Sequence, residues 1–323
     1  MHYKETYDKL TQDFTSYKPH ASPLTIKVYV LNTLRLMKDL DIEFSETMFN
    51  DFHKVSNFFK GLKQSTNTIK NKINTIIVYL QFNRQPRSIV SQYEKLILEY
   101  TNKLHQEHPA LTKTEKEEEN WLTKDDLEDK LYQMEQGLPN KIESYLDLFK
   151  YQQYIALNFH VNVAPLRNEL CDMEIMFSSE FSSKTKDPNI NYIILYRKGK
   201  NVNSAKAIIQ NYKTKKTYNI IEININEDQT RILSKYFKEL SDFKKKQGIN
   251  NCWLLINKDG SKLTRNEYTK FLQKIFNDDN KKISSSMIRK IVVSDLYNAD
   301  KMQELAHNMG HSINEAVSEY VKG

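Results

Sequence analysis

Cysteine is nearly missing from this chain, with 2 in 323 residues, Cys171 and Cys252. They stand far apart without metal-ligand spacing, which excludes a disulfide framework and a cysteine-built zinc site and suits a reducing compartment. Long apolar stretches are missing too. No run reaches about eighteen apolar residues, and the opening MHYKETYDKL has no apolar signal core, which excludes membrane insertion and ordinary secretion. The expected setting is inside the cell. Glycine and proline are scarce, with 7 each, while lysine, asparagine and isoleucine are plentiful. That usage suggests an AT-rich genome, as in many viruses and mobile elements.

What the chain does have is positive charge. Lys and Arg total 48 against 41 Asp and Glu, a formal charge of +7 with an isoelectric point near 9.0. Such a balance favours a polyanionic partner, nucleic acid first, because net charge bears on what a protein binds and not on its fold.

The length suffices for two domains, each with its own core. Apolar residues recur at helical period through the first ~110 residues. One helix begins near Ser22-Pro23, with Leu24, Val28, Leu31, Leu34 and Met37 as its stripe. Another begins at Ser65-Thr66, with Ile69, Ile73, Ile76, Ile77 and Leu80 on one side and Lys70, Asn71, Lys72 and Asn74 on the other. That second face could contact phosphates. From His105 to Glu119 the chain ends in LTKTEKEEEN, a charged run that suits an exposed linker. The next helix starts with Thr123 as N-cap and Asp125-Asp126 in its first turn, where negative charge is favourable.

These patterns divide the chain into a helical bundle over 1–111 and a second domain over 112–323. In the latter the pattern is helical to 177, strand-like from ~190 to ~226 and helical again to the end. The tract FSSEFSSKTKDPNINY resembles a loop or insertion. Within the strand-like part, KAIIQNYKTKKTYNIIEINI alternates on both sides of Lys213-Thr214-Lys215-Lys216, two strands joined by a basic turn. The expected class is mainly α with a small antiparallel β-sheet. Trp121 and Trp253 are expected in the core or at an interface.

The most telling chemistry lies near the C-terminus. HNMGHSINEAVSEYVKG places His311 nine positions before Tyr320 (320 − 311 = 9), and Arg289 stands upstream in SSSMIRKIVVSDLY. A phenol is a poor nucleophile at neutral pH, its pKa being about 10, so attack on a phosphodiester needs cations on the non-bridging oxygens. Arginine suits that task, since its charge is permanent and its planar fork matches two phosphate oxygens. A second such residue, Arg167 in NVAPLRNELCDMEI, follows one apolar helical run and precedes another, where it could also cap a helix beginning near Pro165. His307 and His311 stand at helical spacing, yet Gly310 interrupts and no third ligand is evident, so no metal site is expected.

In the order Arg167, Lys213, Arg289, His311, Tyr320, the chain resembles the tyrosine recombinases, or phage-type integrases. APLRNEL, NYKTKK and SMIRK with MGHSINEAVSEY carry the likeness. Each block is weak alone, and the ordered set is strong. Two positions depart from the family pattern. Ser286 stands three before Arg289 where the family usually has His, although a hydroxyl still donates one hydrogen bond. Glu169 stands two residues after the first Arg where the family often has Glu at three.

The resemblance implies an N-terminal helical core-binding domain and a C-terminal α+β catalytic domain that close as a clamp on double-stranded DNA. It also implies assembly as a homo-oligomer, dimer to tetramer, and no cofactor. By the same carry-over Tyr320 is the nucleophile, Arg167, Arg289 and His311 stabilise the transition state, Lys213 protonates the leaving oxygen with Lys215 as its substitute, and Ser286 is a further candidate. Lys70, Lys72, Lys215, Lys216 and Lys282 are expected on DNA. Two rivals share these residues. Type IB topoisomerases use a similar set, though the gap of 22 from Arg289 to His311 (311 − 289 = 22) resembles the recombinase pattern. A catalytically inactive DNA-binding relative is the other, suggested by Ser286.

Overall fold

The computed structural model describes residues 3–109, 111–295, 306, 308–310 and 312–322. The chain divides into two compact units, Met1–Pro109 and Ala110–Gly323. Helices dominate both.

The first unit holds α1 (Tyr3–Tyr17), α2 (Pro23–Leu40), α3 (Phe52–Gly61), α4 (Thr66–Phe82) and α5 (Arg87–Glu107). Local chemistry sets where they start. Ser22 and Ser65 accept from the backbone N–H groups of Thr25 and Thr68, each satisfying a donor the first turn leaves open. The expected face of α4 is buried, including Ile69, Ile73, Ile76, Ile77 and Leu80. Each such isoleucine contributes about 1.5–3 kcal/mol of burial.

Two expectations fail here for one reason: apolar content extends around both helices, and only packing selects the inner side. On α2 the buried residues are Ile26, Val30, Thr33, Leu36 and Leu40, while Leu24 and Val28 are 70% and 44% exposed. On α4, Lys72 does not face away with Lys70. It is 4% exposed, and its Nζ lies 3.7 Å from Asp39 Oδ2 on α2.

The second unit runs through α6 (Glu115–Asn120), α7 (Lys124–Gln136), α8 (Tyr145–Asn162), a 3₁₀ turn (Glu169–Asp172), β1 (Met173–Phe177), α9 (Ser178–Ser183), β2 (Asn191–Lys198) and β3 (Asn201–Ile209). It continues through α10 (Lys215–Tyr218), β4 (Ile221–Ile225), α11 (Glu227–Gln247), α12 (Arg265–Ile275), α13 (Ser285–Asp295) and α14 (Ile313–Tyr320). Thr123 caps α7 as expected, in a capping box with Asp126. The charged run expected to be an exposed linker instead contains α6, which starts in a second capping box between Thr114 and Glu117. Its Glu117 pairs with Lys290 of α13.

The sheet has the order β1-β2-β3-β4. It is mixed: β2–β3 and β3–β4 are antiparallel, but β1 runs parallel to β2. Helical pattern was expected through 177, and β1 replaces its end. Four of its five residues are buried, so the run lacks the alternation that marks a half-exposed strand. In β4 the alternation is plain, with Ile221, Ile223 and Ile225 inward and Glu222 and Asn224 outward. The expected basic turn between β3 and β4 is a longer connection, 210–220, containing the helical turn α10. The tract read as a loop before β2 likewise begins with α9.

One core spans the unit. Buried residues of α8, including Ile155, Leu157 and Phe159, join inward strand residues and those of α11, α12 and α13. Trp121 and Trp253 are half-buried against it.

Candidate active site

Arg167 lies in the irregular segment after α8, not at the start of a helix. The residues after it form the 3₁₀ turn and then β1. The neighbouring Asn168 anchors this segment from both ends of its amide. Its Oδ1 accepts from Ser285 Oγ at 2.7 Å, and its Nδ2 donates to Thr269 Oγ1 at 3.4 Å. Ser285 opens α13, four residues before Arg289, so one helix holds the second guanidinium and also ties down the segment bearing the first.

The same helix fixes the tyrosine. Ser294 Oγ donates to the Tyr320 carbonyl at 3.1 Å and accepts from the Lys322 N–H at 2.7 Å. Val293, Ala306, Met309, Tyr320 and Val321 form a small apolar cluster with Val317 at its edge. These contacts seat the C-terminal end of α14 on α13.

At the centre, Arg167 Nη2 donates to the Tyr320 hydroxyl at 3.0 Å. The Arg289 guanidinium sits over the Tyr320 ring, 4.4 Å from its centroid, in cation–π range. Arg289 is 1% exposed and Tyr320 is 4% exposed. Burial pushes Arg289 down to about 10, with the Tyr320 hydroxyl opposing and Arg167 adding to the fall. It therefore stays charged at neutral pH. Burial raises the Tyr320 phenol above its usual value, and the Arg289 and Arg167 charges pull it back.

Among the described residues of the second unit, four buried side-chain atoms have no hydrogen-bond partner. They are Arg289 Nε and Nη2, Glu169 Oε2 and His160 Nδ1. The Glu169 carboxylate supports the Arg289 charge. His160 is fully buried with its Nε2 2.7 Å from the Tyr268 hydroxyl, and burial plus the Arg289 charge push it down to about 3. Most buried donors and acceptors in folded proteins are paired, and a group left unpaired costs about 1–3 kcal/mol, more when charged. A guanidinium with two open donors beside a phenol is thus a costly arrangement suited to receiving an anion.

The structure brings Arg167, Arg289 and Tyr320 into contact. Lys213 is exposed in the connection after β3, flanked by two residues that touch Gly310. Thr214 Oγ1 donates to the Gly310 carbonyl at 2.6 Å, and the Tyr212 ring covers the Gly310 Cα. His311 lies outside the described residues, as do His307 and Leu296. Ser286 is exposed and lines a different cleft with Glu117 and Lys290. The hydroxyl that reaches the Arg167 segment is that of Ser285. Of the remaining candidates, Lys215 is half-buried and Lys216 and Lys282 are exposed. Lys70 is half-buried on α4 in the first unit, and Lys72 is buried there as described above.

Sequence reasoning missed Ser285, Asn168, Ser294 and His160. Ser285 alone carried a signal, since a residue four before Arg289 shares its helix face. The others act through tertiary contacts that no local pattern announces.

A model described as the Phage integrase family matches residues 169–323. Two solved structures share the fold across 96% of this chain. The XerH site-specific recombinase bound to difH substrate, a pre-cleavage complex, is 14% identical with a TM-score of 0.56 over 80% of its chain. XerH bound to palindromic difH substrate, a post-cleavage complex, is 15% identical with a TM-score of 0.56 over 79% of its chain. No curated protein matches by sequence. The match to the phage integrase family, residues 169–323, covers Lys213, Arg289, His311 and Tyr320, and the fold of this chain is that of the tyrosine-type site-specific recombinases.

Proposed function

We propose that this chain cuts and rejoins double-stranded DNA at specific sites through a 3′-phosphotyrosyl link to Tyr320, working as a homo-oligomer at DNA within the cell. The phenol gives up its proton to solvent and its Oη bonds the backbone phosphorus. The bond from phosphorus to O5′ breaks as Lys213 Nζ delivers a proton to that oxygen, so one proton leaves and one arrives. Arg167, Arg289 and His311 hold the charge on the non-bridging oxygens, an interaction stronger in the transition state than in the ground state. Reversal with a 5′-hydroxyl from a partner duplex reseals the strand without ATP, because the phosphotyrosyl link conserves the bond energy.

One observation carries this reading: the Tyr320 hydroxyl, 3.0 Å from one guanidinium, shares its site with a second whose buried Nε and Nη2 have no partner among the described residues. Phosphate oxygens match those donors in charge and geometry. XerH, which shares the fold, was solved on a DNA substrate before and after cleavage. The basic N-terminal unit acts in this proposal as the second jaw on the duplex.

The test is a nicked suicide duplex carrying cognate sequence, found by mapping protein-linked ends on DNA. A covalent adduct lost in Tyr320→Phe supports the reading. An adduct retained in that variant, or none on any site, sinks it. Supercoiled plasmid relaxed without exchange of sites would instead identify a topoisomerase.

A further inference from the structure

The connection between β3 and β4 is held at both ends of Lys213 by one feature, the Gly310 turn. Tyr212 covers Gly310 so closely that a Cβ there would meet the ring at 2.4 Å. Thr214 donates its hydroxyl to the Gly310 carbonyl at 2.6 Å. The rest of the connection closes on itself. Tyr212 Oη donates to the Asn219 carbonyl at 2.8 Å, and Tyr218 N–H donates to the Thr214 carbonyl at 3.2 Å. At the β3 end, Asn191 Oδ1 accepts from the N–H groups of Gln210 and Asn211. Lys213 itself is exposed and has a long flexible stem. Where its backbone sits is therefore decided by its two neighbours.

We infer that Thr214 is a positioning residue for the cleavage step: its bond to the Gly310 carbonyl holds the Lys213 backbone beside Gly310, so that the ammonium reaches the leaving O5′. This rests on the assignment of Lys213 as the proton donor. A buried carbonyl needs a hydrogen-bond partner, and for the buried Gly310 the Thr214 hydroxyl supplies one from the segment that carries the acid. Displacing a catalytic group by about 1 Å costs on the order of 10²-fold in rate. The Lys213 loop is the group at risk.

The experiment compares two suicide duplexes, one ordinary and one in which sulfur replaces the bridging O5′. A thiolate leaves without protonation, so the sulfur substrate does not need the acid. On the ordinary duplex, Thr214→Val is expected to slow adduct formation by about 10–100-fold, with Thr214→Ala alike and Thr214→Ser within about 3-fold of the parent because it keeps the hydroxyl. On the sulfur duplex, the Val and Ala variants are expected to return to within about 3-fold of the parent. Equal loss on both substrates, or no loss on the ordinary one, overturns the inference. Lys213→Ala separates the two levels of the argument. If sulfur rescues that variant and not Thr214→Val, only the role of Thr214 falls. If sulfur fails to rescue Lys213→Ala, the proton donor is misassigned and the inference falls with it.

Discussion

Arg167 and Tyr320 meet across 153 positions of sequence, guanidinium to phenol at 3.0 Å. That contact joins the segment after α8 to the end of α14, and α13 braces both through Ser285 and Ser294. Arg167→Lys keeps the charge but loses the fork. Its expected effect is a fall in adduct formation of about 10²–10³-fold with DNA affinity unchanged, measured by single-turnover cleavage beside equilibrium binding. Cleavage within a few-fold of the parent would remove Arg167 from the transition state.

Among the described residues, two buried donor atoms of Arg289, Nε and Nη2, have no hydrogen-bond partner. Its charge is also coupled to the buried Glu169 carboxylate, and removing one member of a buried charged pair costs about 3–5 kcal/mol. Arg289→Lys, which keeps the charge and loses the fork, is therefore expected to reduce cleavage by at least about 10²-fold while keeping a higher denaturation midpoint than Arg289→Met. A lysine variant that cleaves within a few-fold of the parent would remove Arg289 from the transition state.

His160 makes a pH prediction whose sign follows from its burial. Its value falls from 6.5 unfolded to about 3 folded, so between these pH values the unfolded chain binds the extra proton. Stability attributable to this group is complete above pH 6.5 and declines as pH drops toward 3, by at most about 1.4 kcal/mol per unit. His160→Gln, which can still reach the Tyr268 hydroxyl, is expected to flatten the dependence of the unfolding midpoint between pH 7 and 5. An unchanged slope would mean other groups set it.

Gly310 holds φ at +66° in the face of the Tyr212 ring. An alanine there suffers both the left-handed backbone and the 2.4 Å contact. Gly310→Ala is expected to destabilise the protein by about 2–4 kcal/mol, read by chemical denaturation. A loss under about 1 kcal/mol would show that the ring can yield.

The buried Lys72, paired with Asp39, should contribute little to DNA binding. Lys72→Met is expected to leave affinity unchanged, whereas Lys216→Ala should weaken binding and lower the salt slope by about 1. The comparison needs titrations at several salt concentrations. A reduced slope in the Lys72 variant would require that lysine to reach DNA.

Helix starts were legible because a cap is local chemistry. Ser22, Ser65 and Thr123 bond to backbone groups three residues on, whatever the rest of the chain does. The Thr114–Glu117 box carried the same signature but was masked by the charge around it. Faces were less legible. Leu24 looks as apolar as Ile26, and only the neighbouring helices decide which goes inside. The run MEIMF hid a strand because a strand buried on both faces shows no alternation.

Sequence alone determined where α2, α4 and α7 start, the alternation of β4, and the ordered appearance of two arginines, a lysine, a histidine and a tyrosine, since each depends on side chains within a few bonds of the backbone they influence. Tertiary structure alone decided that Arg289 would be buried with open donors, that Ser285 and not Ser286 would reach the Arg167 segment, and that Lys72 would turn inward to Asp39. Those outcomes depend on segments far apart in the chain competing for the same buried space, and a local pattern contains no information about which segment will arrive.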